Sequence, residues 1–376
     1  MGSKVLIVGG GIGGLSSAIA LTARGAEVEI VEQNPRWDVY GVGIIQPGNA
    51  MRALHQLGLL DRALEAGYAM DGHRFHLSDG TLVADDDFPR IVGPQYPGVN
   101  GITRPRLHEI LTSGVKRAGV PVTLGHKLAS LTQHPDSVDV ELTSGASGRY
   151  DVVIGADGIH SQVRSIVFPD VPEPRYSGQT IWRCNLPRPA RIDKLTMYSG
   201  PDSKAGLVPL APDLMYLLFV ENAPGEKAPA RDPGGLAEDL RGLLEGYGGT
   251  IAEVKEGISD SRQVVYRPIE RIWVAPPWHR GRVILIGDAA HATSPHVGQG
   301  AAMALEDSVV LAEELAQTDD LQAAFARFGA RRYERVKEIV DISEQIAQWE
   351  IDQVIPPEAD PVGLTMKSVM VTAEPI

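Results

Sequence analysis

The sequence has few of three features, and each shortage excludes a class of protein. It holds one cysteine, Cys184, which excludes an internal disulfide and a thiolate cluster for a metal. No apolar run reaches the length of a transmembrane helix, and the chain enters its first strand by Val5 without a charged leader or signal-peptide core, so we expect a cytoplasmic protein. Lys and Arg number 35 against 48 Asp and Glu, a net charge of −13, which argues against nucleic acid or an anionic membrane as a partner.

What the sequence does contain is glycine set among apolar strand patterns. The 376 residues include 41 glycines and are 43% hydrophobic, which is enough for a sizeable core in two or three domains. The first 32 residues carry the clearest pattern, in which an apolar run at Val5 to Val8 is followed by a helical pattern over residues 12–22. A second apolar run, Val28 to Val31, ends on an acid. This order predicts a βαβ unit.

The glycines of this unit indicate that it binds a dinucleotide. Gly9, Gly11 and Gly14 fit G-x-G-x-x-G, in which the first glycine permits a tight turn, the second admits a pyrophosphate and the third packs helix against strand. The helix N-terminus behind them offers unpaired N–H groups to phosphate oxygens. Glu32 closes the second strand, where a carboxylate would accept hydrogen bonds from a ribose diol.

Two later motifs also follow apolar strand patterns. GADGIHSQVR occupies residues 155–164, and GDAAHATSPHVGQGAAMALED occupies residues 287–307 and leads into a long amphipathic helix. Between them, short alternating strands over roughly residues 176–276 predict an antiparallel sheet with one helix. Two more helices are predicted near residues 320–328 and 331–349, and no element is predicted for the tail, 356–376.

In this order, the three motifs resemble those of the single-component flavoprotein aromatic hydroxylases of the para-hydroxybenzoate hydroxylase type, over about residues 4–345. The resemblance implies an α/β fold with a Rossmann-like FAD-binding domain of the glutathione-reductase type, an inserted antiparallel-sheet substrate domain and C-terminal helices. The expected FAD-binding domain comprises residues 1–72, 101–175 and 277–376, and the expected substrate domain comprises residues 73–100 and 176–276.

The resemblance also implies a role for residues in each motif. The first motif would hold the ADP half of FAD, and Asp157 and Gly158 match a motif implicated in both FAD and nicotinamide binding. Asp288 would contact the ribityl chain, although a carboxylate after a strand can instead cap a helix. Gly298 and Gly300 would bring a helix N-terminus to the flavin pyrimidine oxygen, where its partial positive charge suits the anion of reduced flavin.

Further contacts to the flavin end are expected from two other places. Arg104 matches the family arginine that contacts this end of FAD, with its neighbour Arg106 as the alternative assignment. Gly43, which with Gly41 is predicted to form a pliable loop, is also counted among the cofactor-binding positions.

Substrate would lie between the flavin ring and the antiparallel sheet. Trp182 and Arg183, in a segment similar to one common among these hydroxylases, are candidate contacts, as is Tyr216, and we assign Arg183 and Tyr216 to the catalytic site. A surface strand position for Arg183 and a core position for Tyr216 are the alternatives. The position after GVGI is Ile45, so this loop supplies no histidine base.

Other chemistries find little support in the sequence. His291 and His296 have no third ligand nearby, so a satisfied or pocket-lining histidine is favoured over a metal site. A Ser/His/Asp hydrolase lacks its G-x-S-x-G turn. No metal is therefore expected.

The resemblance implies a monooxygenase with non-covalent FAD. NADH or NADPH would reduce the flavin, and dioxygen would add at flavin C4a to give a hydroperoxide that hydroxylates a small electron-rich aromatic or N-heteroaromatic substrate, expected to be an acid. A monomer or homodimer is expected. A flavin-dependent dehydrogenase or reductase of the same fold is the main alternative; a halogenase or a nucleotide sensor is less favoured.

Overall fold

The computed structural model describes residues 2–39, 41–200, 202–353 and 360–376. Its strands are β1 (Lys4–Val8), β2 (Glu27–Glu32), β3 (Gly43–Pro47), β4 (Tyr68–Met70), β5 (Gly72–Leu77), β6 (Leu82–Asp87), β7 (Val99–Thr103), β8 (Val122–Leu124), β9 (Leu128–Gln133), β10 (Val138–Leu142), β11 (Ser147–Tyr150), β12 (Val152–Gly155), β13 (Arg175–Pro187), β14 (Leu195–Ser199), β15 (Ser203–Ala211), β16 (Leu214–Asn222), β17 (Val265–Arg271), β18 (His279–Arg280) and β19 (Val283–Leu285). Its α-helices are α1 (Ile12–Thr22), α2 (Gly48–Gln56), α3 (Leu60–Glu65), α4 (Arg104–Arg117), α5 (Gln162–Val167), α6 (Leu236–Leu243), α7 (Gly249–Val254), α8 (Asp288–His291), α9 (Gly300–Gln317), α10 (Leu321–Asp352) and α11 (Pro361–Ala373).

A six-stranded sheet in the order β18-β19-β12-β1-β2-β8 organises the larger core, and it is parallel except between β18 and β19. Residues Val5 to Val8 of β1 are at most 6% exposed, because strands inside a parallel sheet are covered on both faces. Helix α1 packs against α4 and α9. The predicted βαβ unit is confirmed, with its helix at the expected residues.

A seven-stranded sheet in the order β17-β13-β16-β15-β14-β5-β6 is built from residues 72–87 and 175–271. Its neighbouring strands are antiparallel except β14 and β5, which run parallel with Leu195 opposite His73. The antiparallel sheet predicted over residues 176–276 is confirmed, but the parallel pairing of β14 with β5 was not predicted. The reason is that β5 comes from an earlier part of the chain and is not joined to β14 by a hairpin.

The two faces of this sheet meet different surroundings, because successive side chains of a strand point to opposite sides. One face packs with α6 and α7 in a second core that includes Trp182, Cys184, Leu217 and Phe219. The other face looks towards the six-stranded sheet and borders a cavity.

Helix α10 corrects the prediction of two separate C-terminal helices. Residues Leu321–Asp352 form one continuous helix that runs through Gly329, where the break was expected. A glycine inside a helix costs roughly 1 kcal/mol relative to alanine. The burial of Phe325, Phe328 and Arg332 on either side of it outweighs that cost.

Helix α11 lies in the tail for which no element was predicted, and residues 356–359 of that tail lie outside the described residues. It packs on α2 and α10, and Arg52 and Arg335 donate hydrogen bonds to carbonyls in its last turn, at 3.1 Å to Ala373 O and 2.5 Å to Val371 O. The buried side chains of α11 are small and polar, which explains why no apolar period marks it in the sequence.

Two small sheets, β3-β7-β4 and β11-β10-β9, complete the architecture. Gly43 is the first residue of β3 and pairs with Thr103, so the predicted pliable loop is wrong at this position. Within the described ranges, none of the helices is both long enough and apolar enough to cross a lipid bilayer.

Candidate active site

One cavity of about 640 Å³ extends from the carboxyl ends of the parallel strands to the inner face of the seven-stranded sheet. Most of the residues predicted for the site line it, namely Gly11, Gly43, Arg104, Gly158, Arg183, Tyr216, Asp288, Gly298 and Gly300. The remaining ones, Gly9, Gly14, Glu32 and Asp157, lie outside its lining.

The first glycine motif forms a turn that leaves room for a ligand at one position. Gly9 has φ +111°, and a Cβ atom there would lie 2.4 Å from Ala156 O; a Cβ atom at Gly14 would lie 2.0 Å from Gly9 O. A Cβ atom at Gly11 would meet nothing within 4 Å, and this residue immediately precedes α1, which has no side-chain cap. The first N–H groups of α1 are therefore available to an anion such as a pyrophosphate.

Glu32 stands at the end of β2, beside this turn. Its carboxylate accepts hydrogen bonds from Gly10 N at 2.7 Å and from Asn34 N at 2.6 Å. A carboxylate has acceptor positions beyond these two. The main chain thus fixes the orientation of Glu32 while leaving it able to bind a hydroxyl pair.

The two residues of the second motif have separate surroundings. The Asp157 carboxylate accepts hydrogen bonds from Gln162 N at 2.8 Å and Val163 N at 3.1 Å, at the beginning of α5. Gly158 lines the cavity with φ +80°, and a Cβ atom there would meet nothing within 4 Å. The structure therefore places the glycine at the cavity and the aspartate on a helix N-terminus.

The third motif presents Asp288 to the cavity. Asp288 begins α8, but the helix has no side-chain cap, and the carboxylate makes no hydrogen bond or ion pair within the described part of the chain. Its side chain is exposed to the cavity, where desolvation raises the pKa of Asp288, while His291 and Arg104 oppose this shift. A carboxylate in such a position can accept hydrogen bonds from ligand hydroxyls.

Asp307, which the sequence analysis did not single out, holds this loop from behind. Its buried carboxylate accepts hydrogen bonds from Gly287 N at 2.8 Å, His291 Nε2 at 2.8 Å and Arg332 Nε at 2.7 Å. Burial alone would raise the pKa of Asp307, but the charges of His291 and Arg332 lower it overall. His291 is therefore a buried histidine that pairs with Asp307 through Nε2, while its Nδ1 has no partner within the described residues, so the predicted satisfied histidine is confirmed at one ring nitrogen only.

Helix α9 points its N-terminus into the same cavity. Gly298 adopts the left-handed region at φ +65°, and Gln299 precedes the helix without capping it, since its side chain instead accepts from Asn49 Nδ2 at 3.0 Å. A Cβ atom at Gly300 would approach only Asp288 Oδ1, at 3.9 Å. The open N–H groups of an 18-residue helix are thus available to a partial negative charge.

Arg104 and Tyr216 face this region from the other side. Arg104 lines the cavity, whereas its neighbour Arg106 is exposed and donates to Glu109 Oε2 at 2.9 Å. A Cβ atom at Gly43 would lie 2.0 Å from Tyr216 Cδ1, so the tyrosine ring needs a glycine there. Burial raises the pKa of Tyr216, and the nearby Arg183 and Arg104 oppose this effect.

Arg183 projects from β13 into the cavity. Burial and the Arg104 guanidinium lower the pKa of Arg183 to about 10, against the effect of Tyr216. Within the described residues it makes no hydrogen bond or ion pair. Trp182 points to the opposite face of the strand, where it is fully buried and donates to Glu221 Oε2 at 2.9 Å. The prediction that Trp182 contacts substrate is therefore wrong, because adjacent strand residues cannot share a face.

A polar group on the cavity wall was also missed. Glu350 accepts from Lys204 Nζ at 2.9 Å and lies 3.0 Å from His296 Nε2, so it joins the sheet to α10 and the third motif. Burial alone would raise the pKa of Glu350, but Lys204 and His296 lower it to about 2. Alternation along β15 could have placed Lys204 on this face, whereas nothing in the sequence marks Glu350.

The remaining candidate chemistries find no site in the described residues. Cys184 is buried in the second core, and burial raises its pKa to about 12, as suits an inert side chain. No group of three or more His, Cys, Asp or Glu side chains in the described ranges could hold a metal ion.

Comparisons with known proteins find relatives over most of the chain. The family described as FAD binding domain matches residues 2–343. Aurachin C monooxygenase/isomerase of Stigmatella aurantiaca is 33% identical over 93% of this chain and 91% of its own, and 3-amino-4-hydroxybenzoate 2-monooxygenase of Streptomyces cremeus is 31% identical over 92% and 87%. The crystal structure of Klebsiella pneumoniae HpxO complexed with FAD and uric acid superposes with a TM-score of 0.84 at 25% identity and covers 98% of this chain and 96% of that one.

Proposed function

Because the chain belongs to the FAD-binding domain family of flavoprotein monooxygenases, we propose that it uses NADH or NADPH and dioxygen to hydroxylate a small electron-rich aromatic or N-heteroaromatic acid. One observation carries the substrate class. Arg183 and Arg104, neither of which has an ion-pair partner within the described residues, face one cavity together with Tyr216. Both guanidinium groups are partly removed from water without a carboxylate partner, which favours an anionic ligand, and with Arg104 assigned to the flavin below, Arg183 is the group left for a substrate carboxylate or phenolate.

The residues present fit FAD in three places. The open space at Gly11 and Gly158 and the N-terminus of α1 suit a pyrophosphate. The N-terminus of α9 suits a flavin carbonyl, and the unpaired Asp288 carboxylate suits a hydroxylated chain. When bound, FAD supplies the redox chemistry with NAD(P)H and dioxygen. We assign the ribityl contact to Asp288, the flavin contact to α9 and Arg104, and the ribose contact to Glu32; Asp157 supports Gly158 through α5.

The protein's own part in the reaction is binding, orientation and exclusion of water. Arg183 would hold the anionic oxygen of the substrate in a fork geometry that lysine cannot copy. Tyr216, with its raised pKa, stays protonated and can donate a hydrogen bond to that oxygen. The apolar wall around them keeps water from the reacting atoms.

We also propose the two-part division of the chain given above, a cytoplasmic location, and a monomer or homodimer. The seven-stranded sheet has its own core with α6 and α7, which supports a separate substrate domain. The names of relatives support the substrate class, since one acts on an aminohydroxybenzoate and HpxO was solved with uric acid.

The experiment combines labelled dioxygen with a variant of Arg183. The FAD-loaded protein is incubated with NADH or NADPH, labelled dioxygen and a panel of hydroxylated aromatic and N-heteroaromatic acids, and the products are analysed by mass spectrometry. Label in an organic product is expected. Nicotinamide oxidation that yields an unlabelled oxidised product would instead indicate a dehydrogenase or reductase.

With the substrate identified, Arg183→Ala should raise its Michaelis constant by well over tenfold, because removing one partner of a desolvated charge pair costs roughly 2–5 kcal/mol. The matched control is Arg175→Ala, at the exposed start of the same strand, which should change the constant by less than about twofold. Flavin reduction without substrate should be equal in all three proteins. Equal Michaelis constants for parent and Arg183→Ala would remove this residue from the site.

A further inference from the structure

One end of the cavity is lined by apolar side chains that no part of the proposed reaction uses. We call this end the apolar trough; its residues are Phe75, Phe88, Ile91, Leu195 and Met197. All are only partly buried, although they lie among core elements. Apolar side chains that border an enclosed cavity of this kind mark a binding surface for an apolar group.

The strand register gives the distance from this trough to the charged end. Arg183 lies opposite Leu218, which lies opposite Gly206, then Met197 and finally Phe75. The row crosses four strand spacings, which places Phe75 about 19 Å from Arg183 at the usual separation of neighbouring strands. A single ring held at Arg183 would leave the trough empty.

The five residues that define the trough are all uncharged. His73 lies beside the trough, with its ring centroid 4.7 Å from that of Phe75 and 4.8 Å from that of Phe88. Lys204, opposite Ser199 on the neighbouring strand, is held by Glu350 at 2.9 Å. Burial lowers the pKa of His73, so its ring is neutral at pH 7. Across the cavity, α11 contributes Val362 and Val369 to the lining.

We propose that the substrate carries an apolar extension, either an alkyl chain or an apolar ring. This extension is attached to the reacting ring near Arg183 and lies in the apolar trough. This inference rests on the proposed function. The apolar end of the substrate is the occupant of the trough, because the trough is continuous with the charged end of the same cavity and an apolar group gains free energy by leaving water there.

The test is a binding series on the FAD-loaded protein. The probes are 2,4-dihydroxy-6-alkylbenzoic acids with methyl, propyl, pentyl and heptyl chains, which share one electron-rich ring and one carboxylate, and the readout is the change in flavin absorbance on titration. Each added methylene should lower the dissociation constant by up to about fourfold, the factor that corresponds to about 0.8 kcal/mol per buried methylene, until the trough is filled. A constant that does not fall with chain length, or failure of every probe to bind, overturns the inference.

Two variants locate the effect. Leu195→Asp, on the trough wall, should weaken binding of the heptyl probe by more than tenfold and change binding of the methyl probe by less than about twofold, which also verifies that the site is intact. Val83→Asp is the matched control, because Val83 is 58% exposed on β6, and it should leave both constants unchanged. If Leu195→Asp does not fold, Met197→Trp takes its place: by filling the trough it should weaken binding of the heptyl probe and leave binding of the methyl probe unchanged. Equal binding of the heptyl probe in trough and control variants overturns the inference.

The binding readout separates this inference from the proposed function. Affinity that rises with chain length, without label from dioxygen in any product, would support the trough and overturn the monooxygenase. Labelled products together with an affinity independent of chain length would support the monooxygenase and overturn the inference about the trough.

Discussion

Asp288 is the first residue of α8, and Asp307 lies on α9, behind the loop that carries Asp288. The structure predicts that removing the first carboxylate affects FAD binding and removing the second affects stability. The Asp288 carboxylate has no hydrogen-bond partner among the described residues and borders the cavity. Asp307 is fully buried and accepts hydrogen bonds from three donors. Asp288→Ala should therefore weaken FAD binding without unfolding the protein, whereas Asp307→Ala should destabilise the protein itself.

The magnitudes follow from the contacts. A hydrogen bond to a charged group contributes about 1.5–3 kcal/mol, so losing one bond to FAD at Asp288 should weaken FAD binding by roughly ten- to 150-fold. Breaking a buried ion pair by removing one partner costs about 3–5 kcal/mol, and Asp307→Ala would leave Arg332 and His291 without this carboxylate. The loss at Asp307 should be visible in the protein without FAD.

The assay pairs FAD titration with thermal unfolding of the FAD-free protein. For Asp288→Ala we expect weaker FAD binding and an unchanged melting temperature, because the carboxylate is exposed to the cavity and has no partner within the described residues. Asp288→Asn should fall between parent and alanine variant in affinity. If Asp288→Ala lowers the melting temperature of the FAD-free protein while FAD affinity stays the same, Asp288 acts as a helix cap and the assignment fails.

Two further predictions concern the cofactor linkage and α10. Denaturation and filtration should release all flavin absorbance as free FAD; flavin that stays with the precipitated chain would contradict non-covalent binding. Gly329→Ala should raise the free energy of unfolding by about 0.5–1 kcal/mol, since a Cβ atom at this helical position would meet nothing within 4 Å, and a lower denaturant midpoint would show that the glycine is required.

The sequence allowed the nucleotide-binding unit to be predicted because its signals are local. The apolar run of β1, the glycine turn and the pattern of α1 all lie within 32 residues, and α1 spans the residues predicted for it. The catalytic end of the cavity is different. Alternation in β13 excludes that Trp182 and Arg183 share a face, which the prediction of both as substrate contacts overlooked, but which of the two faces meets the cavity depends on the packing of α6 and α7 against the sheet.

The missed elements depend on contacts between distant residues. The pairing of β5 with β14 and the position of Glu350 beside Lys204 are set by the tertiary fold. Helix α10 continues through Gly329 because neighbouring side chains are buried, and α11 has no apolar stripe to reveal it. Local propensity does not contain this information.

The two-sided sheet has a consequence for how this protein can acquire new specificity. Along β13 the side chains of Ile181 and Arg183 face the cavity, and along β16 those of Tyr216 and Leu218 do so, while the residues between them maintain the second core. A combinatorial library restricted to these alternate positions would therefore vary the substrate while leaving the core and the three glycine motifs untouched. In evolutionary terms, the sheet separates the residues that can diversify from those that must keep the fold, so one scaffold can pass from one aromatic substrate to another through single, individually tolerated substitutions.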